Sequence, residues 1–205
     1  MDLRINAENQ AMKTMGGDQA GAVIRFVRDD DFLAVYEIIC YYILHSTANL
    51  AWNCPDYEEF VFQQKEIAQS YPYLVAEYEG EVIGFGYAHA FLGKESYQYD
   101  AELTIYFKPG PHHGLAGRLY EKLEEITRAM GICRLISCTT ANNQASMNYQ
   151  EKYGFKEYGL LKDAGYKNGK WYDVAWMEKR IRPYTDPFRK SLAEVRPEFA
   201  GIDED

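Results

Sequence analysis

The segment from Leu103 to Met130 holds the residues whose spacing points most directly to chemistry. A β-rich run closes at Lys108-Pro109-Gly110-Pro111, the turn Pro111-His112-His113-Gly114-Leu115-Ala116-Gly117 follows, and Leu115, Leu119, Leu123, Ile126 and Met130 then recur at helical spacing. A helix start presents unpaired N–H groups and a partial positive charge, and small residues in the turn let the main chain approach a phosphate closely. A pyrophosphate-bearing cofactor suits this turn, although glycine-bearing turns before helices are also ordinary connectors. There is no Gly-Lys-Ser/Thr phosphate loop and no Gly-x-Gly-x-x-Gly fingerprint, so nucleotide hydrolysis and dinucleotide redox chemistry lose support. Four histidines (His45, His89, His112, His113) are too scattered for a metal site, and no metal is expected. Four cysteines (Cys40, Cys54, Cys133, Cys138) fit neither zinc-ligand spacing nor a disulfide framework and are expected as buried reduced thiols.

These groups need a mixed α/β scaffold to position them. Ile24-Arg25-Phe26-Val27 alternates as a half-buried strand does, and Asp29-Asp30-Asp31 supplies N-cap candidates for a helix through Leu44. A second helix spans 56–70 and stops before Pro72. Leu74 to Glu77 and Val82 to His89 form a hairpin across Tyr78-Glu79-Gly80-Glu81. Strands are expected at Ala101 to Phe107, Arg134 to Cys138, Gly154 to Leu161 and Asp173 to Glu178, with a helix at Ala145 to Lys152. The order is β α α β β β α β α β β. Residues 1–22 read as a flexible leader, 23–181 as the folded domain and 182–205 as a proline-bearing tail.

Composition bounds the function. With 205 residues, 22 Lys plus Arg against 31 Asp plus Glu, a net charge of −9 and 47% apolar residues, the chain suits one soluble domain. No run nears the roughly 20 apolar residues of a membrane span, and the acidic balance argues against nucleic acid as a partner. Residues 1–22 lack the apolar core of a signal peptide, so the cytoplasm is the default location.

Particular blocks then carry a resemblance. Ser46-Thr47-Ala48-Asn49-Leu50, Tyr71 to Glu77, Gly84-Phe85-Gly86-Tyr87-Ala88, Ala101 to Phe107, Asn143 with Ser146, Gly154-Phe155 and Ala164 to Val174 together resemble the GNAT N-acetyltransferases, and within them the phosphinothricin acetyltransferase-like group. The likeness runs from about Ile24 to Ile181, and its most specific part is Gly165-Tyr166-Lys167-Asn168-Gly169-Lys170-Trp171-Tyr172-Asp173-Val174.

The resemblance implies the GNAT fold, a largely antiparallel twisted sheet with flanking helices. It also implies acetyl transfer from acetyl-CoA to the amine of a small amino-acid-like substrate by a homodimer. A neutral amine must attack a thioester, so the site needs a base, oxyanion donors and a route for the leaving thiolate. On the matched positions Glu102 is the base, although most strand carboxylates are merely solvated or paired with a cation. Ile105, Tyr106 and Phe107 offer amides to the thioester and pantetheine. His113, Gly114, Leu115, Ala116, Gly117 and Arg118 offer amides to the pyrophosphate, and Asn143 and Ser146 contact the coenzyme arm. Lys94 and Tyr97 are candidates for the substrate.

Three departures from the family pattern stand out. Pro111 falls where the phosphate loop has Gln or Arg, and the loop is one residue shorter. Lys94 replaces an Arg able to fork onto a carboxylate, and Gln150 stands where relatives carry a Tyr or His general acid. They motivate two alternatives, a degenerate domain that senses CoA or binds protein, and an acetyltransferase of protein or peptide amines.

Overall fold

Seven strands form one sheet in the order β1-β2-β3-β4-β5-β7-β6. The computed structural model describes residues 21–203; the expected leader therefore lies, for residues 1–20, outside the described residues. Strands β1 (Ala22–Phe26), β2 (Tyr73–Tyr78), β3 (Glu81–Ala90) and β4 (Asp100–Phe107) run antiparallel to their neighbours. β4 then lies parallel to β5 (Arg134–Thr140), and β7 (Lys170–Arg180) inserts between β5 and β6 (Lys156–Lys167). Helices α1 (Phe32–His45), α2 (Tyr57–Ser70), α3 (Leu115–Ala129) and α4 (Gln144–Lys152) complete the body. This is the mixed, mostly antiparallel architecture expected from the sequence.

Each face of the sheet has its own core. Leu115, Leu119, Leu123 and Ile126 of α3 pack with Ile24, Phe26, Leu74, Ala76, Ala88, Ala101 and Leu103 on one side. Phe32, Val35 and Ile38 of α1 and Phe60 of α2 pack with Tyr73, Val75 and Phe85 on the other. The strand period of two assigns alternate residues to each. Gly86 lets α3 approach, because a Cβ there would lie 2.9 Å from Leu123 Cδ1, 3.0 Å from Ile105 and 3.1 Å from the Thr104 carbonyl. Gly86→Ala should therefore cost about 1–3 kcal/mol of stability through overpacking, read as a lower urea midpoint with an unchanged slope.

Several elements differ from the sequence expectations. Alternation turned Arg25 toward solvent, but it is 7% exposed. The guanidinium meets Asp31 at 2.6 and 2.8 Å and Glu77 at 2.9 Å, an arrangement that keeps a buried charge paired. The last hairpin is longer than expected, its arms reaching Lys167 and Lys170 across Asn168 (φ 51°) and Gly169 (φ 78°), a two-residue turn with positive φ at both positions. Cys40 and Cys54 are not separate thiols: they form a disulfide with Cα atoms 5.4 Å apart. Cys133 is buried, whereas Cys138 is exposed. In the tail, a short helix α5 (Leu192–Val195) opens on a Ser191–Glu194 capping box, and Leu192, Val195, Phe199 and Ile202 pack into the core beside β1 and α2.

Candidate active site

β4 and β5 pair only through Asp100↔Arg134, Ala101↔Leu135 and Glu102↔Ile136, and from Leu103 onward the two strands diverge. Arg134 pins the joined end, donating to Asp100 at 2.8 and 3.1 Å and to Glu178 at 3.0 Å. The main chain at 47–48 spans the open end: Tyr106 on β4 donates to the Ala48 carbonyl at 3.3 Å and Thr140 on β5 to the Thr47 carbonyl at 3.2 Å.

The pairing pattern tells which β4 amides face the gap. The Lys108 N–H meets the Ile83 carbonyl at 2.7 Å, and alternation along an antiparallel ladder then turns residues 104 and 106 toward β3 as well. Ile105 and Phe107 face the gap instead, and the Phe107 carbonyl there accepts from the Tyr42 hydroxyl at 2.8 Å. Of the three residues expected to offer amides, Tyr106 thus offers its ring and hydroxyl rather than its N–H. Burial pushes that phenol up to about 12, so it stays protonated at neutral pH.

A helix begins beyond the open end of each diverging strand, the placement of ligand crevices in sheets with parallel strands. α3 starts on Gly114, whose φ of 76° and open surroundings suit a residue without Cβ. The Leu115 N–H is used by the His112 carbonyl at 2.8 Å, leaving Ala116 and Gly117 as first-turn donors without an intrahelical acceptor. Gly117 has a packing role too, since a Cβ there would collide with the Tyr153 hydroxyl. Arg118 does not join this group: its amide belongs to the helical ladder, and its guanidinium donates to the Ala22 carbonyl at 3.1 Å. His113 stacks on Tyr78 with ring centroids 3.7 Å apart, and burial lowers the His112 pKa.

On α4 the Asn143 side chain caps the helix by accepting from the Ser146 N–H at 3.2 Å, and Tyr149 ties α4 to α3 by donating to the Ala116 carbonyl at 2.7 Å. One turn beyond Ser146, Gln150 donates to Ser146 Oγ at 3.0 Å. Its own Oε1 is buried without a hydrogen-bond partner among the described residues. An orphaned buried acceptor carries a desolvation penalty that a donor from outside the chain would relieve.

Glu102 is the last β4 residue paired on both sides, and it sits where the strands part. Burial raises its pKa and His89 opposes that rise. Although Cys138 across the gap is exposed at the surface, partial desolvation of its thiol and the charge of Glu102 push it up to about 11, which makes it a poor nucleophile at neutral pH. Lys94 and Tyr97 are exposed on the loop joining β3 to β4, apart from the amide cradle at the other end of β4.

Lys167 is the feature whose role the sequence pattern did not disclose. Only 4% exposed, its ammonium donates to the carbonyls of Ile43, Ser46 and Asn49 at 2.6, 2.7 and 2.6 Å. It thereby caps α1 and fixes the segment that spans the gap. Leu50 packs where a Cβ on Gly165 would be, and Trp52 donates to the Tyr166 carbonyl at 2.9 Å. The Gly-Tyr-Lys block is thus a clasp on the site. Among the described residues no three His, Cys, Asp or Glu gather as a metal site, and no helix is long and apolar enough to cross a membrane.

A sheet split beyond one short parallel pairing, with a helix N-terminus past each diverging strand and a carboxylate at the fork, is the architecture of an acyltransferase. Residues 24–176 match the family described as Acetyltransferase (GNAT) domain, and the chain belongs to that family; it is an N-acetyltransferase. It is 30% identical over 166 residues to the phosphinothricin N-acetyltransferase of Streptomyces viridochromogenes, covering 80% of this chain and 91% of that one. To the L-methionine sulfoximine/L-methionine sulfone acetyltransferase of Salmonella typhimurium it is 25% identical, covering 80% and 97%. Among solved structures, a phosphinothricin acetyltransferase from Sinorhizobium meliloti in complex with AcCoA superposes with a TM-score of 0.77 at 28% identity, covering 83% and 95%.

Proposed function

We propose that this protein acetylates the amino group of a small amino-acid-like substrate of the phosphinothricin or methionine sulfone type. The acyl donor is acetyl-CoA, which supplies the thioester carbonyl and the leaving thiolate. The observation that carries this reading is the loss of β4–β5 pairing after Glu102, which leaves a slot edged by main-chain amides. The residues present suit such a donor. Ile105 and Phe107 hold the carbonyl and arm, Ala116 and Gly117 beside Gly114 receive the pyrophosphate, and Asn143 and Ser146 flank the arm. Gln150 Oε1 accepts from the donor molecule the hydrogen bond it lacks among the described residues.

Glu102 removes the ammonium proton so that the neutral amine can attack. Thiolate protonation falls to water or a tyrosine, because an amide cannot act as an acid. Lys94 and Tyr97 meet the acceptor at the mouth, Lys94 as a point charge toward a carboxylate. Residues 23–181 form the catalytic domain.

A second copy covers the outer hairpin, where Tyr158, Leu160, Leu161, Tyr166 and Trp171 are exposed together, giving a homodimer. The compartment is the cytoplasm. Calorimetric titration with acetyl-CoA, followed by a thiol-release assay over phosphinothricin, methionine sulfone and N-terminal peptides, tests the reading. Binding with turnover on the amino-acid analogues is expected. Absence of binding would point to the degenerate domain, and turnover on peptides alone to a protein acetyltransferase.

A further inference from the structure

We infer that His89 is the relay through which Glu102 returns its proton to solvent, acting through the carboxylate rather than touching the substrate. The inference rests on the reading of Glu102 as base and adds a second residue to it. Acetylation of an ammonium forms the N–C bond, breaks the C–S bond with the electron pair leaving on sulfur, and takes two protons from nitrogen, one accepted by Glu102 and the other ending on the departing thiolate by way of water or a tyrosine. A half-buried carboxylate that accepts the first of these must discharge it before the next turnover.

His89 is the direct cross-strand partner of Glu102, so the two side chains share one face of the sheet with Cβ atoms about 5 Å apart. Its Nδ1 lies 3.1 Å from the Ala90 carbonyl, and a carbonyl only accepts, so Nδ1 carries the hydrogen and the Nε2 lone pair is left to take a proton. His89 itself is partly exposed, giving the imidazolium an exit to bulk water.

Four phenol or thiol groups around Glu102 stay neutral near pH 7. Tyr87 on β3, Tyr106 on β4, Cys138 on β5 and Tyr158 on β6 are all pushed up by burial. The charged groups on this face, Asp100, Arg134 and Glu178, are held in ion pairs with one another, which leaves His89 as the direct cross-strand partner of Glu102.

The test compares wild type, His89→Asn, His89→Ala and Glu102→Gln, with acetyl-CoA and methionine sulfone as substrates. Asn keeps a donor toward the Ala90 carbonyl but has no Nε2, so a purely structural histidine would be replaced by it. The expected result for His89→Asn is a kcat about tenfold lower at pH 7, an acid limb moved to higher pH and an unchanged KM for acetyl-CoA. Imidazole added to His89→Ala should restore turnover. Independently of activity, the 13C titration midpoint of the Glu102 carboxyl should rise in both His89 variants, since the opposing imidazolium is gone. Wild-type kcat, limb and midpoint in His89→Asn, with Glu102→Gln inactive, would overturn the relay and leave the base standing. Full activity of Glu102→Gln would instead remove the base, and the relay with it.

Discussion

Glu102→Gln should lower kcat at pH 7 by about 10²- to 10³-fold while leaving acetyl-CoA affinity as it was. The amide keeps the shape of the carboxyl at the fork of β4 and β5 but cannot accept the ammonium proton. Because burial raises the Glu102 pKa, wild-type activity falls as pH drops through that raised value, where the base becomes protonated. Stability moves the other way. A carboxyl whose folded pKa lies above its unfolded one binds more protons in the native state over that window. Unfolding free energy then falls as pH rises through the window and is level above it. Glu102→Gln removes the cost of a half-buried charge, so its melting temperature at pH 7 should be equal to wild type or higher. A variant inactive yet no less stable would assign the carboxylate to chemistry; a variant that loses activity only because it melts would assign it to folding. Steady-state kinetics over pH 5–9 with parallel thermal melts distinguish the two.

Lys167→Met should be the most damaging substitution outside the reacting groups. Three carbonyls lose a charged donor at once, and the apolar replacement leaves them buried against a side chain that cannot bond them. Breaking an interaction of this kind costs about 3 kcal/mol or more, which for a domain of this size lowers Tm by roughly 6–12 °C. The kinetic consequence follows from where those carbonyls lie. Residues 46–49 span the gap and receive Tyr106 and Thr140, so an unclasped segment should raise KM for the amine severalfold while kcat changes less. Lys167→Arg should not restore the clasp, because a planar fork cannot converge on three carbonyls around one point. Differential scanning calorimetry and acceptor KM measured on both variants check the argument; a Tm within 2 °C of wild type in Lys167→Met would sink it.

Both predictions depend on contacts of very different range in the chain. The helices were legible because a helix is written locally: Leu115, Leu119, Leu123 and Ile126 recur at helical spacing, and Asp56 caps α2 by accepting from Glu58 and Glu59 at 2.9 and 3.1 Å. The hairpin of β2 and β3 was legible from its turn. The second hairpin could have been found in the same way from Asn168-Gly169, whose signal lay inside a block noticed for its likeness to relatives rather than for its backbone.

Glu102 and the β4 amides beyond it were reached through resemblance, whereas the Gly114 turn was legible from its small residues and the helical spacing that follows it. Tertiary structure alone turned the Arg118 guanidinium to the Ala22 carbonyl and joined Cys40 to Cys54. It also placed His89 opposite Glu102 and brought Lys167 to carbonyls 118 to 124 residues earlier in the chain.

What the amino-acid sequence determined by itself was the succession of elements, the acidic balance and the turn chemistry. Each of these arises from interactions within a few residues, which a short window contains in full. Which β4 amides face the gap, where the strands part and what holds the spanning segment were decided by strand register and by packing between distant segments. A shift of one residue in that register would turn every side chain to the opposite face without altering any local pattern.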